Sequence, residues 1–123
     1  RLSDISKVDN TFWGTTTRQS IVNWQLNNPE PIQEFDSPGS HPRGIACGGS
    51  NLWSADNGQY DFPRLYKHSQ NMEIESTYSP VALINEKLTL LLPEHLDFSL
   101  DGYLWAIAPL PNGEKGVFKF NLP

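Results

Sequence analysis

The sequence predicts an all-β protein assembled from about three copies of one structural unit. A short apolar strand, a polar turn and a Trp recur three times, at Asp4–Trp13, Gly44–Trp53 and Leu96–Trp105. The three Trp residues are separated by steps of 40 and 52 residues, a period typical of stacked supersecondary units. Such units bury their apolar faces against one another, so each unit depends on its neighbours for stability.

Further strands are predicted after each Trp. Third strands are expected at Ser20–Leu26, Arg64–His68 and Gly116–Leu122. Fourth strands at Pro31–Phe35 and Glu73–Tyr78 run into Ser-Pro breaks, whereas the third unit has no fourth strand. Four antiparallel strands joined by short turns form a propeller blade, so we predict a partial β-propeller whose third blade is incomplete. Its units span residues 1–40, 41–92 and 93–123 of a single domain.

The turns and the spacing of aromatic residues add detail to this unit. Turns are predicted where Gly follows Asn or Asp, at Gly58, Gly102 and Gly113. Trp24, Tyr66 and Phe118 lie 11, 13 and 13 residues after the repeat Trp and are expected to occupy matching positions. The apolar segment 81–92 lengthens the second unit and suits either a short helix or an extended insert, of which we favour the insert.

Composition excludes several classes of function. The 123 residues carry a formal net charge of -5 without a Lys/Arg cluster, which argues against binding a phosphate backbone. No apolar run reaches the roughly 18 residues that a membrane span needs, so we expect a soluble chain of undetermined compartment. Cys47 is the only cysteine and cannot form an internal disulfide. Since the chain begins at Arg1 without a signal-like segment, we expect a processed chain or part of a longer one.

The blades resemble those of a known superfamily. The resemblance is carried by Pro42–Asp56, Arg64–Lys67, Ile74–Pro80 and Pro93–Ala106. These segments are similar to blades of the NHL-like six-bladed propellers, a superfamily that includes the streptogramin B lyase and gluconolactonase groups. The resemblance implies a propeller fold but no single activity, because enzymes, binding proteins and scaffolds share it.

The same resemblance suggests where a ligand would bind. Lactonases of this superfamily hold a divalent cation with Asn, Asp and Glu side chains just after the Pro that begins each blade. Here those positions are Arg43 and Glu94, so only Glu94 can act as an oxygen donor, and we predict no metal and no cofactor. The lyase group would imply a catalytic His, for which His95 or His41 qualifies by position alone.

Four residues form the candidate ligand-binding set, namely His41, Arg43, Glu94 and His95. Arg43 could clamp a carboxylate or phosphate, and a carboxylate could orient His95 for acid–base work. Adjacent strand residues point to opposite faces, however, so a Glu94–His95 pair is disfavoured relative to structural or solvated roles.

Other chemically interesting residues favour structural roles. Cys47 lies in a predicted inner strand with no His nearby, which indicates a small buried residue rather than a nucleophile. Tyr60, Phe62 and Tyr66 could stack sugar rings, although an aromatic core between blades is favoured. Asp56 is expected to hold the turn that ends at Gly58.

The sequence therefore predicts a binding or assembly module. About three blades cannot close a ring, so we expect association with another copy, as in a homodimeric ring of six blades, or with the rest of a parent chain. The alternatives are a half-site of a propeller lyase or lactonase-like enzyme, and a glycan-binding propeller. Trp13, Trp53 and Trp105 are structural repeat positions, and a small molecule or saccharide is the expected ligand.

Overall fold

The computed structural model describes residues 2–48, 50–58 and 62–122. Within them the chain is all-β and forms thirteen strands. In chain order they are β1 (Leu2–Val8), β2 (Thr11–Thr16), β3 (Ser20–Gln25), β4 (Pro31–Asp36), β5 (Pro42–Gly48), β6 (Asn51–Asp56), β7 (Arg64–His68), β8 (Ile74–Tyr78), β9 (Val81–Ile84), β10 (Lys87–Leu90), β11 (His95–Phe98), β12 (Leu104–Pro109) and β13 (Lys115–Phe120).

The strands form four antiparallel sheets, each in simple sequence order. The first sheet is β1-β2-β3-β4, the second is β5-β6-β7-β8, and the third is β11-β12-β13. The fourth is the hairpin β9–β10, so the predicted extended insert is confirmed, in the form of two strands. All five predicted third and fourth strands are present, with ends that differ from the prediction by at most two residues.

Tight turns set the register of these hairpins. Asn85 and Glu86 both have positive φ, at 50° and 65°, which is the backbone of a two-residue hairpin loop with right-handed twist. Gly58, Gly102 and Gly113 have positive φ of 70°, 87° and 88°, as expected of the predicted turns.

Corresponding positions in the three large sheets follow from the strand pairing. Trp13, Trp53 and Trp105 lie opposite Asn23, Lys67 and Lys119. By the same pairing Val22, Tyr66 and Phe118 occupy one position, while Trp24 corresponds to His68 and Phe120. The expected match of Trp24 with Tyr66 was therefore wrong, because the loop joining β2 and β3 is shorter than its counterparts.

The three large sheets stack face against face, with their first strands side by side. β5 contacts both β1 and β11. We call the face of each sheet that carries the repeat Trp its trailing face, and the opposite face its leading face. Side chains alternate between these faces along every strand.

Two apolar clusters fill the spaces between the large sheets. One joins Ile21 on the trailing face of the first sheet to Ile45 and Leu52 on the leading face of the second, with Trp13 packed against it. The other joins the trailing face of the second sheet to the leading face of the third, and consists of Ala46, Trp53, Ala55, Leu65, Leu96, Leu104 and Ala106. Each interface is thus a trailing face covered by the next leading face.

The repeat Trp residues pack against the fourth strand of their own sheet where that strand is present. Trp13 stacks on Phe35 with ring centroids 6.1 Å apart, and Trp53 stacks on Tyr78 at 5.8 Å. Lys67 and Lys119 place their ammonium groups over Trp53 and Trp105, at 6.0 and 5.9 Å. The third sheet has three strands in the described part of the chain, as predicted.

The all-β, antiparallel class predicted from the sequence is confirmed. None of the sheets closes on itself, and the propeller arrangement stays a prediction. No helix in the described residues is long and apolar enough to cross a membrane.

Candidate functional site

The starts of the three first strands bring charged residues to one end of the sheet stack. In β1 the pairing skips from Leu2 to Asp4, and in β5 it skips from Pro42 to Gly44. Each skip leaves one extra residue, which is Arg43 in β5, and such bulges redirect a side chain away from the ladder. In the third sheet the N–H of Glu94 donates to the carbonyl of Ile107 at 2.8 Å, which gives Glu94 the position corresponding to Arg43.

Glu94 lies between two cations. Its Oε2 is 3.9 Å from Arg43 Nη2, and its Oε1 is in direct contact with Lys115 Nζ. Arg43 Nη1 is in turn 3.5 Å from His41 Nε2, and the Arg43 carbonyl accepts a hydrogen bond from Thr15 Oγ1 at 3.3 Å. The Glu94 side chain is one-fifth exposed, so water partly screens these pairs.

Asp4 joins the first strands of all three large sheets. Its Oδ2 accepts the N–H of Ile45 in β5 at 2.9 Å and the N–H of Leu96 in β11 at 3.1 Å. Its Oδ1 accepts the N–H of Ile5 at 2.9 Å and lies 3.5 Å from His95 Nδ1. By their pairing, Ile5, Ile45 and Leu96 occupy the same position in their strands. One carboxylate therefore gathers three corresponding backbone amides, each bond being strengthened by its charge.

The four predicted ligand-binding residues thus belong to two separate sets of contacts. His41, Arg43 and Glu94 form one chain of contacts, whereas His95 pairs with Asp4 rather than with Glu94. This separation agrees with the expectation that adjacent strand residues diverge. We call His41, Arg43, Glu94, His95, Asp4 and Lys115 the axial cluster.

Sequence reasoning missed two members of the axial cluster. Asp4 stands at the start of the first repeat, and its pairing opposite Thr15 matches that of His95 opposite Ile107. An alignment of the repeats on the bulges would have found it. Lys115 reaches Glu94 across a separation of 21 residues, and no local pattern marks that contact.

The axial cluster offers both charges to a small polar ligand. The guanidinium of Arg43 and the ammonium of Lys115 could bind a carboxylate or phosphate, in competition with Glu94. The Arg43 Nε atom is buried and has no hydrogen-bond partner in the described residues. The imidazole of His95, about half exposed and next to a carboxylate, could transfer a proton to or from such a ligand.

Two further candidates for chemistry are the Ser54–His68 pair, which is buried, and Cys47, which is partly buried. Ser54 Oγ is 2.7 Å from His68 Nε2, a distance suited to a nucleophile and its base, but both residues are buried between the first two sheets. Burial lowers the pKa of His68. Burial also raises the pKa of the Cys47 thiol, which therefore stays protonated and weakly nucleophilic near neutral pH.

The aromatic hairpin expected from the sequence is described only in part. Tyr60 and Asp61 lie outside the described residues. Phe62 is exposed beneath the guanidinium of Arg64, whereas Tyr66 is buried in the leading face of the second sheet. Asp56 accepts the N–H of Gly58 at 2.8 Å and so holds the turn as predicted.

In the described residues, no group of three or more His, Cys, Asp or Glu side chains is placed to hold a metal ion. The predicted oxygen donor, Glu94, is paired with cations instead.

Comparison with known proteins supports the fold and leaves the family open. No protein-family model matches the sequence, and no curated protein matches it. The resemblance to NHL-like propellers therefore stays a prediction.

Several solved structures share the fold, and two of them differ in size. One is the extracellular domain of a protein described as a hybrid two-component system from B. thetaiotaomicron, with a TM-score of 0.59 and 16% identity. The match covers 100% of this chain but only 16% of that one, so this chain spans about a sixth of its length. The other is the computationally designed Ika4 protein, with a TM-score of 0.53 and 9% identity over 98% of this chain and 92% of that one.

Proposed function

We propose that this chain is a binding and assembly module of β-propeller type, whose ring is completed by another copy or by the rest of a parent chain. The three large sheets are its blades, stacked around their first strands. The axial cluster provides the contacts for a small ligand at one end of the stack.

One observation carries the proposal: apolar residues on the two free faces stand at positions that are buried wherever another sheet covers them. On the free trailing face, Ile107 and Val117 hold the positions of Ala55 and Leu65. The latter two are 0% and 2% exposed under the third sheet, whereas Ile107 and Val117 are 39% and 69% exposed. Apolar residues kept in register on an open face are typical of a surface that a partner covers.

The free leading face has the same character. Ile5 holds the position of the buried residues Ile45 and Leu96 but is 51% exposed. Leu2, Phe12 and Trp24 line an open groove beside it. Both ends of the stack therefore need cover of the kind that the inner sheets already have.

The two structural neighbours support the two versions of this proposal. In one, a fold of this kind forms about a sixth of a larger chain, which suits completion by a parent chain. In the other, a chain of nearly the same extent carries the fold by itself, which suits completion by further copies. At these identities the likeness concerns the fold alone.

The test is the protection of the free trailing face. A thiol is introduced by Val117→Cys in a Cys47→Ala background, and Leu100→Cys, in an exposed turn, is the control. Alkylation is followed in the isolated chain at low and high concentration, and in a longer chain extended by the flanking coding sequence. We expect slow labelling at position 117 at high concentration or in the longer chain, and fast labelling at position 100 throughout. Equal, fast labelling of both positions in every setting would contradict the proposal.

The enzyme alternative depends on Glu94. A divalent metal in the purified protein, with turnover that Glu94→Ala abolishes, would favour it over a binding module. A protein without metal or turnover would favour binding.

A further inference from the structure

We infer that the partner covering the free faces is a second copy of this chain, bound head to tail, with the leading face of each first sheet on the trailing face of the other copy's third sheet. This inference rests on the proposed function and names the partner and the contact surface within it.

The first argument is that, inside this chain, each covered trailing face has a leading face packed on it. The trailing face of the first sheet is covered by a leading face, and so is the trailing face of the second. The third sheet offers the next trailing face, and the unpaired leading face of the chain is that of the first sheet. A second copy supplies this surface and needs no other sequence.

The second argument is the agreement of residue classes at corresponding positions of the leading faces. The position of Ile5 holds Ile45 in the second sheet and Leu96 in the third, and the position of Phe12 holds Leu52 and Leu104. The position of Gly14 holds the small residues Ser54 and Ala106. At these three positions the free leading face presents aliphatic, large apolar and small residues, as the buried leading faces do. Lys7 is the exception, since it stands at the position of Cys47 and Phe98.

The third argument is the shape of the receiving surface. On the second sheet, the side chain of Leu96 packs beside Gly44 and Ala55. On the third sheet the corresponding place is an open groove of about 210 Å³, lined in part by His95, Ile107 and Val117. Ala55 and Leu65 are replaced there by Ile107 and Val117, so the floor of the groove stays apolar. His95 stands at the position of Gly44 and forms a polar edge of the groove. Ile5 of a second copy is the residue whose position matches this groove.

The symmetry of the contact follows from its two different surfaces. A leading face on a trailing face is a heterologous contact, which either closes into a ring or continues as a filament. Three large sheets from each of two copies give six, so we expect two such contacts to close a dimer.

Mixing two variants tests this arrangement. Ile5→Arg disables only the leading face, and Val117→Arg disables only the trailing face; both residues are exposed in the single chain, so both variants should fold. The control is Leu100→Arg, which adds the same charge on neither face. Mass is measured by light scattering and folding by circular dichroism. If Ile5→Arg is unfolded, Leu2→Arg on the same face replaces it.

We expect wild type and Leu100→Arg to have twice the 13.9 kDa mass of one chain, and each face variant alone to lose that doubling. An equimolar mixture of the two face variants should regain it, because one intact leading face then meets one intact trailing face. The double variant Ile5→Arg/Val117→Arg should stay monomeric in every mixture.

Other outcomes would overturn the inference without removing the proposed function. If one face variant keeps the doubled mass, the contact joins like faces and the head-to-tail arrangement is wrong. If wild type is monomeric while a thiol at position 117 is protected in the longer chain, the partner is the parent chain. If that thiol labels rapidly in every setting, both the inference and the proposed function are wrong.

Discussion

The first three strands of the second and third sheets have the same order and register, yet the second sheet is covered on both faces and the third on one. Leu65 and Val117 hold the same position, with 2% and 69% of their surface exposed. These strands are patterned alike, so the difference in burial arises from what lies next to them. Leu65 has the third sheet over it and Tyr78 of the fourth strand beside it, and in the described residues Val117 has neither counterpart. The comparison shows that the same residue pattern is buried where another sheet lies against it and open where none does; we propose that a further unit packs on the open face.

The largest difference between the two sheets should appear when their corresponding apolar residues are truncated. Leu65→Ala leaves a cavity in a closed interface and should lower the free energy of unfolding by about 2–5 kcal/mol. Val117→Ala in dilute solution should cost below about 0.5 kcal/mol, since its side chain is largely exposed. Urea unfolding at low protein concentration measures both values. Equal losses would mean that the third sheet is covered within the single chain.

Removing the hydrogen bonds by which Asp4 links the sheets should lower the free energy of unfolding nearly as much as removing an apolar side chain between them. Asp4→Ala leaves the N–H groups of Ile45 and Leu96 without their acceptor, which should cost about 2–3 kcal/mol. Asp97→Ala is the matched control, because Asp97 is an exposed carboxylate that, within the described residues, accepts only the N–H of Phe98. Thermal unfolding of the two variants compares them. A loss at Asp97 as large as at Asp4 would remove the special role of Asp4.

A smaller effect is expected in the pH dependence of the free energy of unfolding, through His68 on the leading face of the second sheet. Burial lowers the pKa of His68, so the folded protein binds fewer protons than the unfolded chain below the ordinary value of 6.5. The stabilising contribution is present above pH 6.5 and decreases as the pH falls below that value. His68→Gln should flatten this dependence in urea unfolding from pH 8 to pH 5, while His95→Gln, which keeps the buried imidazole, should retain it. A slope unchanged by His68→Gln would contradict the assignment.

The smallest effect is expected at the axial cluster. Glu94→Gln weakens pairs with Arg43 and Lys115 that water partly screens, so it should change the free energy of unfolding by about 1 kcal/mol or less. The loss should shrink in 1 M salt. A salt-independent loss of several kcal/mol would make Glu94 a structural element of the stack rather than a residue available to a ligand.

The sequence predicted the strands well because they depend on local signals. Alternating side chains, Gly turns and the Trp period placed the third and fourth strands of the first two sheets, and the third sheet has three strands in the described residues, as predicted. The position of Trp24 was wrong because register depends on loop length as well as on spacing. The propeller arrangement of the sheets was predicted and stays a prediction.

The candidate site was predicted less completely because its contacts cross between sheets. The Pro positions led to Arg43 and Glu94, which the fold brings together. Asp4 was missed because its partners are the backbone amides of Ile45 and Leu96, which are 41 and 92 positions away in the chain. Every residue except Pro has a backbone amide, so no residue type in the sequence indicates this contact. Which face lacks a neighbour is likewise a property of the assembled stack.

The mass of the chain in solution, measured by light scattering over a wide range of concentration, tests the central claim most directly. A second copy covering both free faces predicts a species of twice 13.9 kDa that dissociates on dilution. A well-folded species of 13.9 kDa at every concentration would contradict the head-to-tail dimer.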